Sequence, residues 1–138
     1  ADLDGLRADR PGYYTAGQTA LKEAIAVARA GTPINEIGRT VNRIVTAQGY
    51  AVCPELTGHG IGRRIHEWPT VPNYDAPELN QPLTTGLVIT IEPIISAGTG
   101  AVYQSRDGWT IKTADEAVSA HVEHTIVITE SAPLLITA

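Results

Sequence analysis

One histidine and two glutamates in this chain stand where their chemistry is conspicuous. His59 lies in GHGIG (58–62), between Gly58 and Gly60. Glu92 closes the apolar run LVITIEP (87–93), and Glu123 sits inside SAHVEHTIVIT (119–129). A carboxylate in a run of β-branched residues either faces solvent on a half-exposed sheet or is buried with a partner. A glycine-flanked histidine, taken alone, is equally a turn. Together, one imidazole and two carboxylates suit a hard or borderline divalent ion. Gly58 and Gly60 would let the backbone approach a ligand closely and adopt positive φ, leaving His59 free to project. A second histidine, His66, follows beside Glu67 in HEWP (66–69). Cys53 is the single cysteine, so a thiolate zinc site is excluded.

These residues need elements to bring them together. Leu21, Ala24, Ile25 and Ala28 follow helical spacing and predict a helix over 15–30, with Thr15 and Gln18 at capping-box positions and Gly31 as its stop. A second helix is expected from Thr32-Pro33 to Gly49, with Ile37, Val41, Ile44 and Val45 as its apolar stripe. After Tyr50 the period changes to two. LVITIEP puts Leu87, Ile89 and Ile91 on one face and Val88, Thr90 and Glu92 on the other. SAHVEHTIVIT alternates as one strand, with Val122, His124, Ile126 and Ile128 opposite His121, Glu123, Thr125 and Val127. Shorter strands are expected at 109–113 and 134–137, and a proline-rich loop at 72–82. Helices followed by antiparallel strands give an α+β class in a single domain over 1–138.

The totals narrow the function. The 138 residues are 43% hydrophobic and 18% charged, which describes a folded domain. A net charge of -5 argues against an electrostatic nucleic-acid binder, which would need a basic surface. No apolar run is long enough for a membrane span, and no signal peptide opens the chain, so a cytoplasmic setting is expected. There is no methionine, so either an initiator was removed or the sequence begins within a longer protein.

In order, TGHGIGRRIHEWPTVPNY, LVITIEP, DGWT and SAHVEHTIVIT resemble the type I methionine aminopeptidases, dinuclear metallopeptidases of the pita-bread fold. Prolidases and creatinases share that fold, but DGWT followed by an EHT element is similar to the methionine aminopeptidase side. The resemblance implies removal of N-terminal methionine from peptides and nascent proteins with two divalent ions (Co, Mn, Fe or Zn). It implies His59, Glu92 and Glu123 as metal ligands, with Glu92 also the general base and Glu123 bridging the ions. His66 resembles the histidine that bonds the scissile amide, and Trp109 the aromatic wall of the methionine pocket. Two close ions would lower the pKa of a shared water, and a neighbouring carboxylate would move its proton. Several other residues receive no chemical role. His121 falls where the family often has glutamine and is expected outside the metal ligands or at the surface. His124 is expected to be structural, and Cys53 a small, semi-buried apolar residue. Arg63 and Arg64 should solvate or pair locally. Ile65 stands where many relatives carry an aromatic.

The family needs two aspartates on a hairpin ahead of the first helix. LDGLRAD (3–9) resembles the second half of that hairpin, with Asp9 in the place of the second aspartate, so residues 1–13 read as a remnant. The chain thus resembles the C-terminal half of a pita-bread domain: two helices packed on a curved antiparallel sheet. The resemblance then implies one metal ion or none on this chain alone, and completion by a missing N-terminal half or a second copy. The alternative is a non-catalytic half-fold that binds a peptide or protein partner.

Overall fold

The structure is a computed structural model and describes residues 12–137. The expected hairpin remnant over 1–13 falls largely outside these residues, and Asp9 lies outside them.

The first helix among the described residues, α1, runs Gly12–Val27. It begins and ends about one turn earlier than its spacing predicts, and Thr15 lies inside it instead of capping it. Its buried face is built from small residues. Ala16, Ala20 and Ala24 recur every fourth position and are fully buried, with Gly17 and Leu21 beside them. A face this flat lets the helix axis come close to the strands beneath. At Gly17 an added Cβ would sit 3.2 Å from a Val122 methyl and 3.5 Å from Ile95. After α1 the chain is tied to the strands by Ala30 N–H to the Thr129 carbonyl, and Gly31 turns it at a φ of 87°.

The second helix, α2, spans Asn35–Ala47 and buries Ile37, Val41, Ile44 and Val45, the expected stripe. Its first turn has no side-chain cap of the usual kind. The proline-rich loop serves instead. Ile34 and Asn35 donate to the Gln81 and Leu79 carbonyls, which satisfies N–H groups that a helix start leaves open. The Asn35 amide in turn grips Asp75 and the Ala76 N–H, so the loop is pinned to the helix.

Ten short strands follow: β1 Ala51–Val52, β2 Gly58–Gly60, β3 Glu67–Val71, β4 Val88–Ile91, β5 Ile94–Ser96, β6 Val102–Gln104, β7 Ile111–Thr113, β8 Ser119–His121, β9 His124–Val127 and β10 Leu134–Leu135. They form antiparallel sheets in the orders β10-β9-β4-β2-β3, β1-β5-β8 and β6-β7. The α+β class holds, but the expected single curved sheet is divided. LVITIEP continues from β4 into β5 with a break at Glu92-Pro93. SAHVEHTIVIT is not one strand: it breaks at Val122-Glu123 between β8 and β9. Each segment leaves one sheet and enters the other. Ile91 pairs with His124 on one side of the breaks, and Ile94 with His121 on the other. The two breaks therefore face each other, joined by Val122 N–H to the Pro93 carbonyl at 3.2 Å. Ile89, Ile91, Ile95, Ile126 and Ile128 fill the core beneath the helices.

Candidate metal centre

Both glutamates occur in the joint where the chain changes sheets. Regular pairing stops there, so these side chains are not bound by strict alternation. Val122 is buried against α1. Its neighbours His121 and Glu123 take the other side, with Glu92. One donor atom from each of Glu92, His121 and Glu123 lies within 4.8 Å of the others.

Glu92 is the centre of this group. Its residue is 8% exposed, and each carboxylate oxygen faces a different histidine. Oε1 lies 3.3 Å from His59 Nε2, and Oε2 lies 3.2 Å from His121 Nε2. His121 Nε2 is also 3.6 Å from Glu123 Oε2. Burial by itself would raise the Glu92 carboxyl. Hydrogen bonds from His121 and Thr90, with the charges of His121 and His59, outweigh burial and hold it below its ordinary value. The hydrogen bond to Glu92 raises the His121 imidazole against the opposing effect of its own burial, and the charges of Glu92 and Glu123 add to the rise.

His59 reaches Glu92 from β2. The glycines on either side have a different use from the expected one, because neither has positive φ. A Cβ on Gly58 would run into the Thr90 carbonyl, and one on Gly60 into the Trp68 carbonyl. Glycine is required so that β3 and β4 can close on β2, which carries His59. The β2–β3 register also shifts between His59 and Gly60. Nδ1 of His59 lies 2.8 Å from the Gly60 carbonyl. A carbonyl only accepts, so Nδ1 carries the proton and Nε2 presents its lone pair to Glu92. Two acceptors facing each other at 3.3 Å need a second proton or a cation between them. With carboxylate oxygens and imidazole nitrogens as the donor set, the site fits a divalent metal ion.

Two supporting residues have no conspicuous sequence signal. Thr90 is 1% exposed; its hydroxyl accepts from the His59 N–H at 3.0 Å and donates to Glu92 Oε1 at 2.8 Å. Alternation along LVITIEP puts Thr90 on the Glu92 face, but the link to His59 depends on β2 lying beside β4. Asn73, also 1% exposed, donates its amide to the Glu92 carbonyl at 2.9 Å and the Leu56 carbonyl at 3.3 Å. It sits in the proline-rich loop, where an asparagine reads as a turn residue.

Of the residues singled out from sequence, the structure brings His59, Glu92 and Glu123 to this joint. His66 stands beside them, its ring centroid 4.3 Å from that of His59 and its plane at 71°. His121 is half exposed, in line with a surface position, and its Nε2 also lies within the cluster beside Glu92. Trp109 is on the β6–β7 hairpin, where Asp107 caps the turn and the residue is 87% exposed. His124 bonds Thr137 through Nδ1 at 2.8 Å, a tie to the C-terminal segment. Cys53 is fully buried, and burial raises its thiol, with Glu55 and Asp115 adding to the shift. Arg63 and Arg64 are exposed and form no ion pair among the described residues. A groove of about 580 Å³ opens beside the cluster, between Tyr14, Gln18 and Leu21 of α1 and the His121–His124 segment.

Residues 9–130 match metallopeptidase family M24. The chain is 43% identical over 114 residues to the methionine aminopeptidase of Escherichia coli (strain K12), covering 83% of this chain and 43% of that protein. It is 43% identical over 121 residues to methionine aminopeptidase 2 of Bacillus subtilis (strain 168), covering 87% of this chain and 49% of that one. The crystal structure of methionine aminopeptidase from Rickettsia prowazekii superposes with a TM-score of 0.86 at 34% identity, over 90% of this chain and 50% of the other. The chain thus spans half or less of the length of these relatives.

Proposed function

This chain belongs to metallopeptidase family M24, and from that premise we propose that it carries the imidazole–carboxylate half of a dinuclear methionine aminopeptidase. The observation that supports this most is the meeting of His59, Glu92 and Glu123 at the sheet joint, from three separate parts of the sequence. His59, Glu92 and Glu123 are assigned as metal ligands. Asp9, outside the described residues, is assigned as a further one. Bound divalent ions would acidify the attacking water and polarise the scissile carbonyl.

The chain's own groups supply the rest. Glu92 takes a proton from the attacking water as the new C–O bond forms. It returns the proton to the leaving amine as the C–N bond breaks. Thr90 and Asn73 hold Glu92 by its carboxylate and its carbonyl, so the base does not swing away from His59. His66 is assigned to hydrogen-bond the scissile amide and stabilise its developing charge. Trp109 is assigned to the methionine side-chain pocket; its exposure leaves the indole free to be covered by substrate. The substrate would be the N-terminal methionine of a peptide or nascent protein, in a cytoplasmic setting. No described helix is long and apolar enough to cross a membrane.

The rest of the centre is assigned to an N-terminal half or a second copy. Leu134, Leu135 and Ile136 are exposed on and beside β10, the edge of the largest sheet, where such a partner could add. On this assignment the chain alone folds, binds one ion tightly, and turns over little or no peptide. Calorimetric titration with Co²⁺ or Mn²⁺, followed by hydrolysis of a Met-Ala peptide with and without an added N-terminal half, tests this. One tight site and restored turnover are expected. A chain that binds no metal, and stays inactive after completion, is instead a non-catalytic binding module.

A further inference from the structure

We infer that His121 is itself a metal ligand, so that this chain holds a divalent ion through Glu92, His121 and Glu123, beside the assigned ligand His59 on the other oxygen of Glu92. The inference rests on the metal-centre assignment above and adds to it a donor at a position where the resemblance implies glutamine.

The donor spacing carries it. His121 Nε2 is 3.2 Å from Glu92 Oε2 and 3.6 Å from Glu123 Oε2, while His59 Nε2 is 3.3 Å from Glu92 Oε1. Charge-assisted N–H···O bonds close to about 2.7–2.9 Å. Atoms each about 2.0–2.1 Å from one ion stand about 3.3 Å apart at tetrahedral angles. At 3.2–3.6 Å the observed spacings are longer than close charge-assisted bonds and leave room for an ion. One N–H on Nε2 also has a single direction, and two carboxylate oxygens compete for it. A cation among them can meet both.

The backbone supports the same conclusion. His121 closes β8 opposite Ile94, and Val122 is locked under α1 at Gly17. The imidazole is thereby held on the Glu92 side of the joint. Charge also balances: two carboxylates neutralise one divalent ion, so a single-ion site can be completed within this chain. An additional imidazole shifts such a site away from oxygen-preferring Mn²⁺ and toward Zn²⁺ or Co²⁺.

The test uses the full 138-residue chain, which has four histidines, labelled with ¹⁵N-histidine. Long-range ¹H–¹⁵N spectra with one equivalent of Zn²⁺ report which ring nitrogens bind metal. Nε2 of both His59 and His121 should move to the metal-bound range. His121→Gln should abolish one of these signals, His59→Asn the other. His121→Gln should also weaken Zn²⁺ on the order of 100-fold while weakening Mn²⁺ less. The wild-type spectrum decides even if a variant fails to fold. Zn²⁺ bound with His121 Nε2 at its free position, and an unchanged affinity in His121→Gln, overturns the assignment but leaves the metal centre intact. No Zn²⁺ binding at all overturns both. Absence of peptide turnover bears on the aminopeptidase proposal alone.

Discussion

Replacing Thr90 with valine tests the link between β2 and Glu92. Valine keeps the shape of threonine and removes only the hydroxyl. Two bonds are lost at once: His59 N–H to Thr90 Oγ1 at 3.0 Å, and Thr90 Oγ1–H to Glu92 Oε1 at 2.8 Å. The residue is 1% exposed, so water cannot replace the hydroxyl without rearrangement. Leaving the His59 N–H without a partner costs about 1–3 kcal/mol, and a bond to an ionised carboxylate contributes about 1.5–3 kcal/mol. These overlap, because one hydroxyl makes both, and about 3 kcal/mol is expected overall. For a chain of this length that corresponds to a fall in Tm of about 10 °C. Urea unfolding of the metal-free chain measures it, with an unchanged slope expected. Thr90→Ser keeps the hydroxyl and removes a methyl, and should cost only about 1 kcal/mol. A Thr90→Val loss below about 0.5 kcal/mol, or a serine variant as damaged as the valine one, would refute the bridging role.

Asn73→Leu should destabilise by about 2–3 kcal/mol, because it strips the Glu92 and Leu56 carbonyls of their donor in a buried site; equal denaturation midpoints would count against it. Gly17→Ala gains about 1 kcal/mol of helix propensity but drives a methyl against Val122 at 3.2 Å. We expect little net change in stability but weaker Co²⁺ binding by calorimetry, since Val122 sits between His121 and Glu123. The metal-free chain should be most stable between about pH 4.5 and 6.5, the ordinary values of the two groups. The depressed Glu92 carboxyl contributes stability that is present above its ordinary value and lost as pH falls through its folded value. The raised His121 imidazole contributes stability that is complete below its ordinary value and lost as pH rises through its folded value. Bound metal should extend stability on the alkaline side, because coordination needs the neutral ring; thermal unfolding across pH with and without Zn²⁺ measures both limbs.

Much of this protein is set by local sequence. Helical spacing marks both helices, since an apolar stripe is a property of each segment, although α1 is displaced by a turn because its real buried face is alanine and glycine. Alternation places Thr90 with Glu92 and His121 with Glu123. The types of donor already exclude a thiolate site and indicate a divalent ion. What the sequence by itself could not determine is where alternation stops. LVITIEP and SAHVEHTIVIT each read as one strand, because β-branched residues continue across Glu92-Pro93 and Val122-Glu123. Only pairing with different neighbours divides them, and pairing partners are distant in sequence. The same holds for Gly58 and Gly60, whose need for glycine comes from the Thr90 and Trp68 carbonyls and not from their own torsions. His121 is the clearest case. One residue's alternation gives it a face, but the distance from its Nε2 to the two carboxylates is fixed by α1 pressing on Val122 and by β8 pairing with β5.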